Sequence, residues 1–169
     1  MAKRFVDQSQ SCIEVLNDQR NNLKWLAQLR ESVESIANFG CGKSTEAFEL
    51  LWRLHAAEII VIEKEKRYLA KPIGLREGLK RSQKSYCLKG RTVEFIAANM
   101  LASPLRSNHF DLAYCQEVLY DIYDTHEDSG LQADKVQDAI NEMARVVKPG
   151  GWVIAVEEKV GSKCRDIAD

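Results

Sequence analysis

Two glycines set between an apolar segment and an amphipathic segment constrain the fold of this chain more than any other feature. Val33–Phe39 predicts a short strand, and Gly40 and Gly42 predict a tight turn after it. The residues that follow predict a helix capped by Ser44 or Thr45. A glycine can take positive φ and lets a ligand lie against the backbone, and the helix start would turn unpaired N–H groups toward that ligand. The pattern predicts either a small-ligand site or an ordinary strand-to-helix turn.

The second apolar segment, Glu58–Glu63, ends on an acidic residue. Its four consecutive β-branched residues predict a strand buried on both faces, as in a parallel sheet. In a βαβ nucleotide-binding unit, an acid about 20 residues beyond the glycine turn accepts hydrogen bonds from the ribose hydroxyls. Glu63 stands at that place. The turn and the acid together favour a ribose-bearing ligand over a solvated strand end.

Strands and helices alternate along the rest of the chain. The segments that predict further strands are Thr92–Ile96, Phe110–Cys115 and Trp152–Val156. Leu131–Val147 predicts a helix, and the segment 148–151, Lys-Pro-Gly-Gly, predicts its end because proline cannot continue a helix. Ser9–Arg30 predicts another helix before the first strand. The alternation predicts an α/β fold with a doubly wound, mostly parallel sheet and helices on both faces.

The composition is that of an ordinary soluble globular protein, with 45% hydrophobic residues, 29% charged residues and a net charge of −1. A length of 169 residues predicts one domain. No apolar run reaches the roughly 20 residues that span a bilayer, and the N-terminus has no signal-peptide core, so we expect a cytoplasmic protein without a membrane partner. Five cysteines without a C-x-x-C pair and three separated histidines predict reduced thiols and no metal site.

Charge is unevenly distributed along the chain. The segment 64–91 holds ten Lys or Arg residues and two Glu residues, and the segment from Glu117 to Glu142 holds eight acidic residues and one Lys. Solvated helix faces explain both segments most simply. The basic segment also permits an RNA acceptor, another anionic acceptor or a protein partner.

Four separated blocks of the sequence resemble class I S-adenosylmethionine-dependent methyltransferases, in the methyltransferase-domain group. The blocks are I-A-N-F-G-C-G-K-S-T, I-I-V-I-E, F-I-A-A-N-M-L-A-S-P-L-R-S-N-H-F-D-L-A-Y-C-Q-E-V-L-Y-D-I and M-A-R-V-V-K-P-G-G-W-V-I-A-V. They are similar to the family's glycine motif, second-strand acid, adenine loop with fourth strand, and closing helix with fifth strand, in the family's order. The resemblance covers Ser35 to Glu157 and implies a Rossmann-like single domain, with residues 1–32 as a helical lead-in, 33–157 as the cofactor-binding core and 158–169 as a short tail.

The resemblance also implies a binding site for S-adenosylmethionine. Glu63 would hold both ribose hydroxyls, and Lys64 would lie beside the adenine. Asn99 would bond the adenine amino group, Met100 would offer a backbone N–H, and Cys115 would offer its carbonyl near the amino end of the cofactor. The cofactor-binding residues of the turn, the last three of which would line the methionine portion, are Asn38, Phe39, Gly40, Cys41 and Gly42.

The sequence departs from the family in several places. Asn38 replaces the usual acid of the glycine motif, Ser44 replaces its third glycine, and Asn99 replaces the aspartate of the adenine loop. An amide lacks the charge that strengthens a bond to the cofactor's ammonium group, which predicts weaker binding. Lys159–Asp169 is too short for the antiparallel hairpin that the family adds after the fifth strand. We therefore expect an open sheet edge that a second copy pairs with as a homodimer, a trimmed domain, or a partly lost substrate site.

The resemblance implies methyl transfer to an acceptor that the sequence does not identify, with a small molecule expected first. Methyl transfer needs an in-line nucleophile and exclusion of water more than a particular side chain, so the sequence names no catalytic residue. Glu117 and Tyr120, just beyond the fourth strand, stand where the acceptor is expected. One alternative keeps the cofactor fold without the chemistry, as a cofactor-binding or partner-binding subunit.

A second alternative is a P-loop nucleotide hydrolase. Ala37–Ser44 has the length of a variant phosphate loop, in which Gly42 and Lys43 would cradle phosphates and Ser44 would bind magnesium. Alanine stands in place of the leading glycine, and no four-residue apolar run ends in the aspartate that completes such a magnesium site. This alternative also leaves Glu63 unexplained.

Overall fold

The computed structural model describes residues 3–6, 12–16, 29, 32–42, 46–65, 90–124 and 129–157. Within these ranges the strands are β1 Lys3–Val6, β2 Cys12–Leu16, β3 Ser35–Phe39, β4 Glu58–Glu63, β5 Thr92–Ala97, β6 Phe110–Gln116 and β7 Val147–Val156. The helices are α1 Glu46–Arg53, α2 Leu119–Asp124 and α3 Ser129–Val146, and Met100–Ala102 forms a 3-10 turn. The predicted helix between the glycine turn and the second strand, the three later strands and the predicted helix 131–147 are all present, with ends shifted by a few residues.

The described strands form one sheet in the order β1-β2-β7-β6-β3-β4-β5. The five strands from β7 to β5 in this order run parallel, which confirms the predicted doubly wound α/β architecture. The chain winds from β3 outward to β5, then returns to the other side of β3 to form β6 and β7. The winding direction reverses between β3 and β6, and in open α/β sheets ligands bind outside the carboxyl ends of the strands at such a reversal.

Apolar side chains cover both faces of the parallel strands. On one face, Ile36 of β3 lies in a cluster with Phe48 and Leu51 of α1. On the other face, Phe39 of β3 lies in a cluster with Met143 of α3. Successive residues of a buried strand point to opposite faces, so the near-continuous apolar runs of β3, β4 and β6 supply both clusters.

A network of polar groups joins the amino-terminal ends of β3 and β6. One carboxylate oxygen of Asp111 accepts hydrogen bonds from the backbone N–H groups of Glu34 and Ser35, at 3.0 and 2.9 Å, and from the Ser35 hydroxyl at 2.9 Å. Its other oxygen accepts from the Lys148 ammonium at 2.6 Å. This places Lys148 of the Lys-Pro-Gly-Gly segment in the framework of the sheet.

The segment 148–151 lies within β7 rather than at the end of a separate loop. Helix α3 ends at Val146, and β7 begins at the next residue. Opposite this segment, β6 advances by two residues from Phe110 to Leu112 while β7 advances by five, from Val147 to Trp152. The prediction that the segment follows the helix end is confirmed, but the strand begins before it because the extra residues are absorbed as a bulge.

The predicted helix Ser9–Arg30 is wrong over Cys12–Leu16, which forms β2. Strand β2 pairs in parallel with β7, and β1 pairs antiparallel with β2. The β-branched residues Ile13 and Val15 suit a strand locally, and pairing with β7 overrides the helical spacing of the longer segment. Strand β2 thus lies along the side of β7 that we expected to be open for a homodimer, and the helical lead-in is wrong for this part of residues 1–32. The tail 158–169 and the basic residues 66–89 lie outside the described residues.

None of the described helices combines the length and the apolarity needed to cross a membrane.

Candidate functional site

The glycine turn follows β3 at the carboxyl edge of the sheet. Gly40 has φ +72° and Gly42 has φ +51°, a region that disfavours residues with a Cβ. The Gly40 N–H donates to the carbonyl of Ile62 at 2.7 Å, which ties the turn to the end of β4. A Cβ on Gly40 would lie 2.5 Å from Cγ2 of Val118, whereas a Cβ on Gly42 would have no heavy atom of the described residues within 4 Å. Gly40 is therefore needed for close packing, and no described residue crowds Gly42.

Glu63 binds the glycine turn directly. Its carboxylate accepts from the Gly42 N–H at 2.8 Å through one oxygen and from the Glu65 N–H at 2.9 Å through the other. The side chain is only 6% exposed, and the backbone carbonyl of Glu63 accepts from the Ala98 N–H at 3.1 Å. Each carboxylate oxygen keeps a second lone-pair direction. A fixed acceptor therefore stands at the turn, as a pair of ribose hydroxyls requires.

Asn38 is the buried polar residue of β3. It is 2% exposed, lies between Val61 of β4 and Tyr114 of β6, and its Oδ1 has no hydrogen-bond partner among the described residues. A buried acceptor without a partner costs about 1–3 kcal/mol. Such a group is more typical of a binding site than of a structural core, where polar groups are paired.

The other predicted turn residues contribute in different ways. The Phe39 side chain is fully buried in the cluster that contains α3, so only its backbone is available at the turn. Cys41 is buried, and its Sγ lies 3.8 Å from the carbonyl of Gly42. Lys43, Ser44 and Thr45 lie outside the described residues. The turn thus presents backbone atoms more than side chains.

The predicted adenine residues stand at the carboxyl end of β5. Asn99 is exposed, and its Oδ1 accepts from the Leu101 N–H at 3.0 Å, so it caps the 3-10 turn. Met100 is buried in the same cluster as Phe39. The Glu142 carboxylate braces the next residues by accepting from the Ser103 N–H at 2.9 Å and the Ser103 hydroxyl at 2.7 Å. The oxygen expected to bond an adenine amino group already has one partner, and one lone pair remains.

Direct hydrogen bonds bring together the turn, Glu63 and the strand end before Asn99. Cys115 is buried beside Phe39 in the sheet register, so its strand adjoins the turn, and Lys64 is exposed at the end of β4. The predicted residues therefore lie along one edge formed by β3, β4, β5 and β6. Which of them contact a ligand stays a prediction.

The residues expected near the acceptor lie beyond β6. Glu117 is exposed, has φ +55°, and donates its N–H to the carbonyl of Val156 at 2.7 Å. Tyr120 lies half-buried in the first turn of α2. A positive φ is unusual for a residue other than glycine and marks a backbone held in place by its neighbours.

Sequence reasoning missed Glu157, which follows β7 at the same edge. Its carboxylate accepts from the N–H groups of Leu119 and Tyr120 at 3.0 and 3.2 Å. Burial, reinforced by the negative field of Glu117, raises the pKa of Glu157 to about 7, although backbone hydrogen bonds act in the opposite direction. The run V-I-A-V-E matches I-I-V-I-E, so the strand-end rule that identified Glu63 could also have identified Glu157.

The glycine turn does not suit a phosphate. In a P-loop the backbone N–H groups of the turn would point at phosphate oxygens. Here the Gly42 N–H donates to the Glu63 carboxylate, whose negative charge would repel a phosphate at the same place. The observed turn therefore argues against the nucleotide hydrolase alternative.

Known proteins are similar to this chain in sequence and in fold. The family described as "methyltransferase domain" matches residues 37–155. No curated protein matches the sequence. Among solved structures, the chain is similar to the N-methyltransferase NodS from Bradyrhizobium japonicum in complex with S-adenosyl-L-homocysteine, at 22% identity and a TM-score of 0.53, covering 80% of this chain and 60% of that one.

Two further solved structures show the range of reactions on this fold. Geranyl diphosphate C-methyltransferase from Streptomyces coelicolor is 15% identical with a TM-score of 0.53, covering 81% of this chain and 46% of that one. The [4+2]-cyclase SpnF is 23% identical with a TM-score of 0.51, covering 82% of this chain and 46% of that one. The chain spans about half the length of these structures. At such identities the likeness concerns the fold alone.

Proposed function

This chain belongs to the methyltransferase-domain family, and on that premise we propose that it binds S-adenosylmethionine at the glycine turn and moves its methyl group to a small-molecule acceptor. One observation carries the proposal. The buried carboxylate of Glu63 is fixed against the backbone of Gly42, at the strand reversal where α/β sheets bind nucleotides. This arrangement suits an adenosyl ligand and opposes a phosphate.

We propose separate roles for the residues of the edge. Glu63 accepts hydrogen bonds from the ribose hydroxyls through the lone pairs that Gly42 and Glu65 leave available. No described residue crowds Gly42, which leaves room for the methionine portion, and Asn38 offers its Oδ1, which has no hydrogen-bond partner among the described residues, toward a polar group or an ordered water there. Asn99 and Met100 line the adenine side.

The chemistry asks little of the protein beyond placement. The bound cofactor would supply an electrophilic methyl group on its sulfonium. The chain must hold an acceptor nucleophile in line with that group and keep water out, and it needs a base only if the acceptor is protonated. We place the acceptor beside the loop that carries Glu117 and Tyr120, because this loop adjoins the glycine turn through Val118. A small molecule is favoured since the fold hosts enzymes of that kind.

A second candidate function is cofactor or partner binding without turnover. The amides Asn38 and Asn99 in place of family acids favour it, because they lack the charge that would strengthen cofactor binding. Methyl transfer to any acceptor contradicts this candidate. Binding of S-adenosylmethionine without methylated product, across small-molecule, RNA and protein acceptors, supports it.

Calorimetric titration of the purified chain tests the proposal. We expect S-adenosylmethionine and S-adenosylhomocysteine to bind and ATP with magnesium not to bind. Glu63→Ala should weaken both adenosyl ligands about 100-fold, because two hydrogen bonds to a charged group are lost. Glu58→Ala is the matched control, since Glu58 begins the same strand at the opposite edge. Equal affinity in the wild type and Glu63→Ala, or binding of ATP alone, contradicts the proposal.

A further inference from the structure

The loop between β6 and α2 connects two parts of the carboxyl edge. On one side, Val118 packs so closely on Gly40 that no Cβ fits between them. On the other side, the loop reaches the end of β7, where Glu117 donates its N–H to the carbonyl of Val156. Any movement of this loop therefore changes the packing of the glycine turn.

Glu157 holds the helical end of this loop. Its two carboxylate oxygens accept from the N–H groups of Leu119 and Tyr120, one oxygen for each. These N–H groups belong to the first turn of α2, where the helix itself offers no acceptor. The Glu117 backbone is in the left-handed region at φ +55°, a conformation that its surroundings must impose. The hydrogen bond that Glu117 donates to Val156, together with those that Leu119 and Tyr120 donate to Glu157, holds the backbone in this conformation.

We infer that Glu157 is a positioning residue for the cofactor site: by fixing the start of α2 it keeps Val118 packed on Gly40, and so holds the glycine turn in its ligand-binding conformation. The inference rests on the proposed function. It assigns no contact between Glu157 and a ligand. It adds a residue about 115 positions from the turn in sequence to the determinants of cofactor affinity.

The charge state of Glu157 gives the inference a pH signature. Burial and the field of Glu117 raise the pKa of Glu157 to about 7. Protonation turns one oxygen of the carboxyl group into a donor, but it also removes a buried negative charge, and the raised pKa means that the second effect is the larger. Among the described residues, the charged group that acts on Glu157 is Glu117 in the loop, and the backbone of the first turn of α2 supplies its hydrogen bonds. Because the ordered loop binds the proton more tightly than an open loop with a solvated carboxyl would, the turn should be best ordered below the pKa and loosen as the pH rises through it.

Titration with S-adenosylhomocysteine at about pH 6 and about pH 8 tests this inference. We expect the wild type to bind several-fold more tightly at the lower pH. Glu157→Gln, which keeps the shape and cannot ionise, should bind like the wild type at the lower pH, show little pH dependence and so bind several-fold more tightly than the wild type at the higher pH. Val118→Ala should weaken binding and lose most of the pH dependence, and adding Glu157→Gln to it should change the affinity little at either pH, because both act through one contact.

Asp111→Asn is the matched control. Asp111 also accepts two backbone N–H groups, but at the opposite edge, so this variant should keep the affinity and pH dependence of the wild type. Wild-type-like binding by Glu157→Gln at both pH values overturns the inference and leaves the proposed function intact. If Glu157→Gln changes the affinity as much in the Val118→Ala background as in the wild type, the route through Val118 is overturned. A wild type that binds no adenosyl ligand overturns both. If Glu157→Gln does not fold, retention of the full pH dependence by Val118→Ala still overturns the inference.

Discussion

Asp111 and Glu157 are two carboxylates with the same task at opposite edges of the sheet. Each accepts two backbone N–H groups of another element. Burial raises the pKa of Asp111 as well, but the Lys148 ammonium, the backbone N–H groups and the Ser35 hydroxyl outweigh it, so the pKa of Asp111 is lowered. Burial raises the pKa of Glu157 to about 7, because the part of the chain that the structure describes gives it no cation.

This difference in pKa indicates that the amino edge of the sheet serves stability, whereas the carboxyl edge is available for ligands. At the amino edge, Asp111 ends in a closed network with Ser35 and Lys148. At the carboxyl edge, Asn38 keeps an acceptor without a described partner, and Glu157 is buried with no cation beside it among the described residues. Polar groups left incompletely compensated are typical of functional sites, where local rules of stability are relaxed.

Two glycine substitutions, one at each edge of the sheet, should have the largest effects and distinguish the roles of the two edges. A Cβ on Gly151 would lie 2.5 Å from Val147 Cγ1 and 2.8 Å from the Asp111 carbonyl, and a Cβ on Gly40 would lie 2.5 Å from Val118 Cγ2. Gly151→Ala should lower the free energy of unfolding by about 2–4 kcal/mol and leave the affinity of the folded fraction unchanged. Gly40→Ala should weaken S-adenosylhomocysteine binding at least about 100-fold, because φ +72° and the Val118 contact are both disturbed. Denaturant unfolding and calorimetry measure the two effects. If Gly151→Ala weakens binding and Gly40→Ala lowers only the free energy of unfolding, the roles assigned to the two edges are wrong.

Asp111→Asn should destabilise the protein by about 1–2 kcal/mol, since the ion pair with Lys148 and one strong acceptor are lost. The lowered pKa means that the stabilisation is present above the unfolded value and is lost as the pH falls through the folded value. The deficit should therefore be constant from about pH 5 to about pH 8. Urea unfolding at both pH values measures it. A deficit that shrinks on going from the higher to the lower of these values would show that the carboxylate titrates in this range.

Glu157→Gln should show the opposite pH behaviour. The folded pKa of about 7 lies above the ordinary glutamate value of 4.5, so folded Glu157 binds a proton that the unfolded chain has released. Wild-type stability therefore falls as the pH rises between these two values, and the glutamine variant escapes this loss. Relative to the wild type, the variant should gain roughly 1–3 kcal/mol between about pH 5 and about pH 8. Thermal unfolding across that range measures the gain. A difference that does not vary with pH contradicts the predicted charge state.

Asn38→Leu should have the smallest effect on stability, and it tests whether the carboxyl edge gives up stability for ligand binding. Leucine has a similar shape and removes the unpaired Oδ1, so the ligand-free protein should become about 1 kcal/mol more stable. The same change should weaken S-adenosylmethionine binding several-fold. Unfolding and calorimetry on one preparation test both parts. Reduced stability in the ligand-free protein would mean that Asn38 is a structural polar group instead.

The local sequence determined several of the strands and the glycine turn of this protein. The run of β-branched residues before Glu63 and the glycines after Phe39 predicted two adjacent strands and a turn that the structure contains. Their pairing was also predictable, because a βαβ unit fixes the distance along the chain, and the Gly42 N–H and the Glu63 carboxylate are 21 residues apart. These features depend on side-chain periodicity and on backbone freedom at glycine, which a sequence displays directly.

The tertiary structure decided those features that depend on hydrogen-bond donors far away in the sequence. The N–H groups that reach Glu157 lie 37 and 38 residues before it, and those that reach Asp111 lie 76 and 77 residues before it, at spacings that no motif fixes. The segment Cys12–Leu16 forms a strand because β1 and, far along the chain, β7 pair with its two sides. Hydrogen-bond partners and burial set the pKa of a carboxyl group, and neighbouring strands decide whether a segment pairs as a strand. Both depend on which distant parts of the chain the fold brings together, and the local sequence does not encode that.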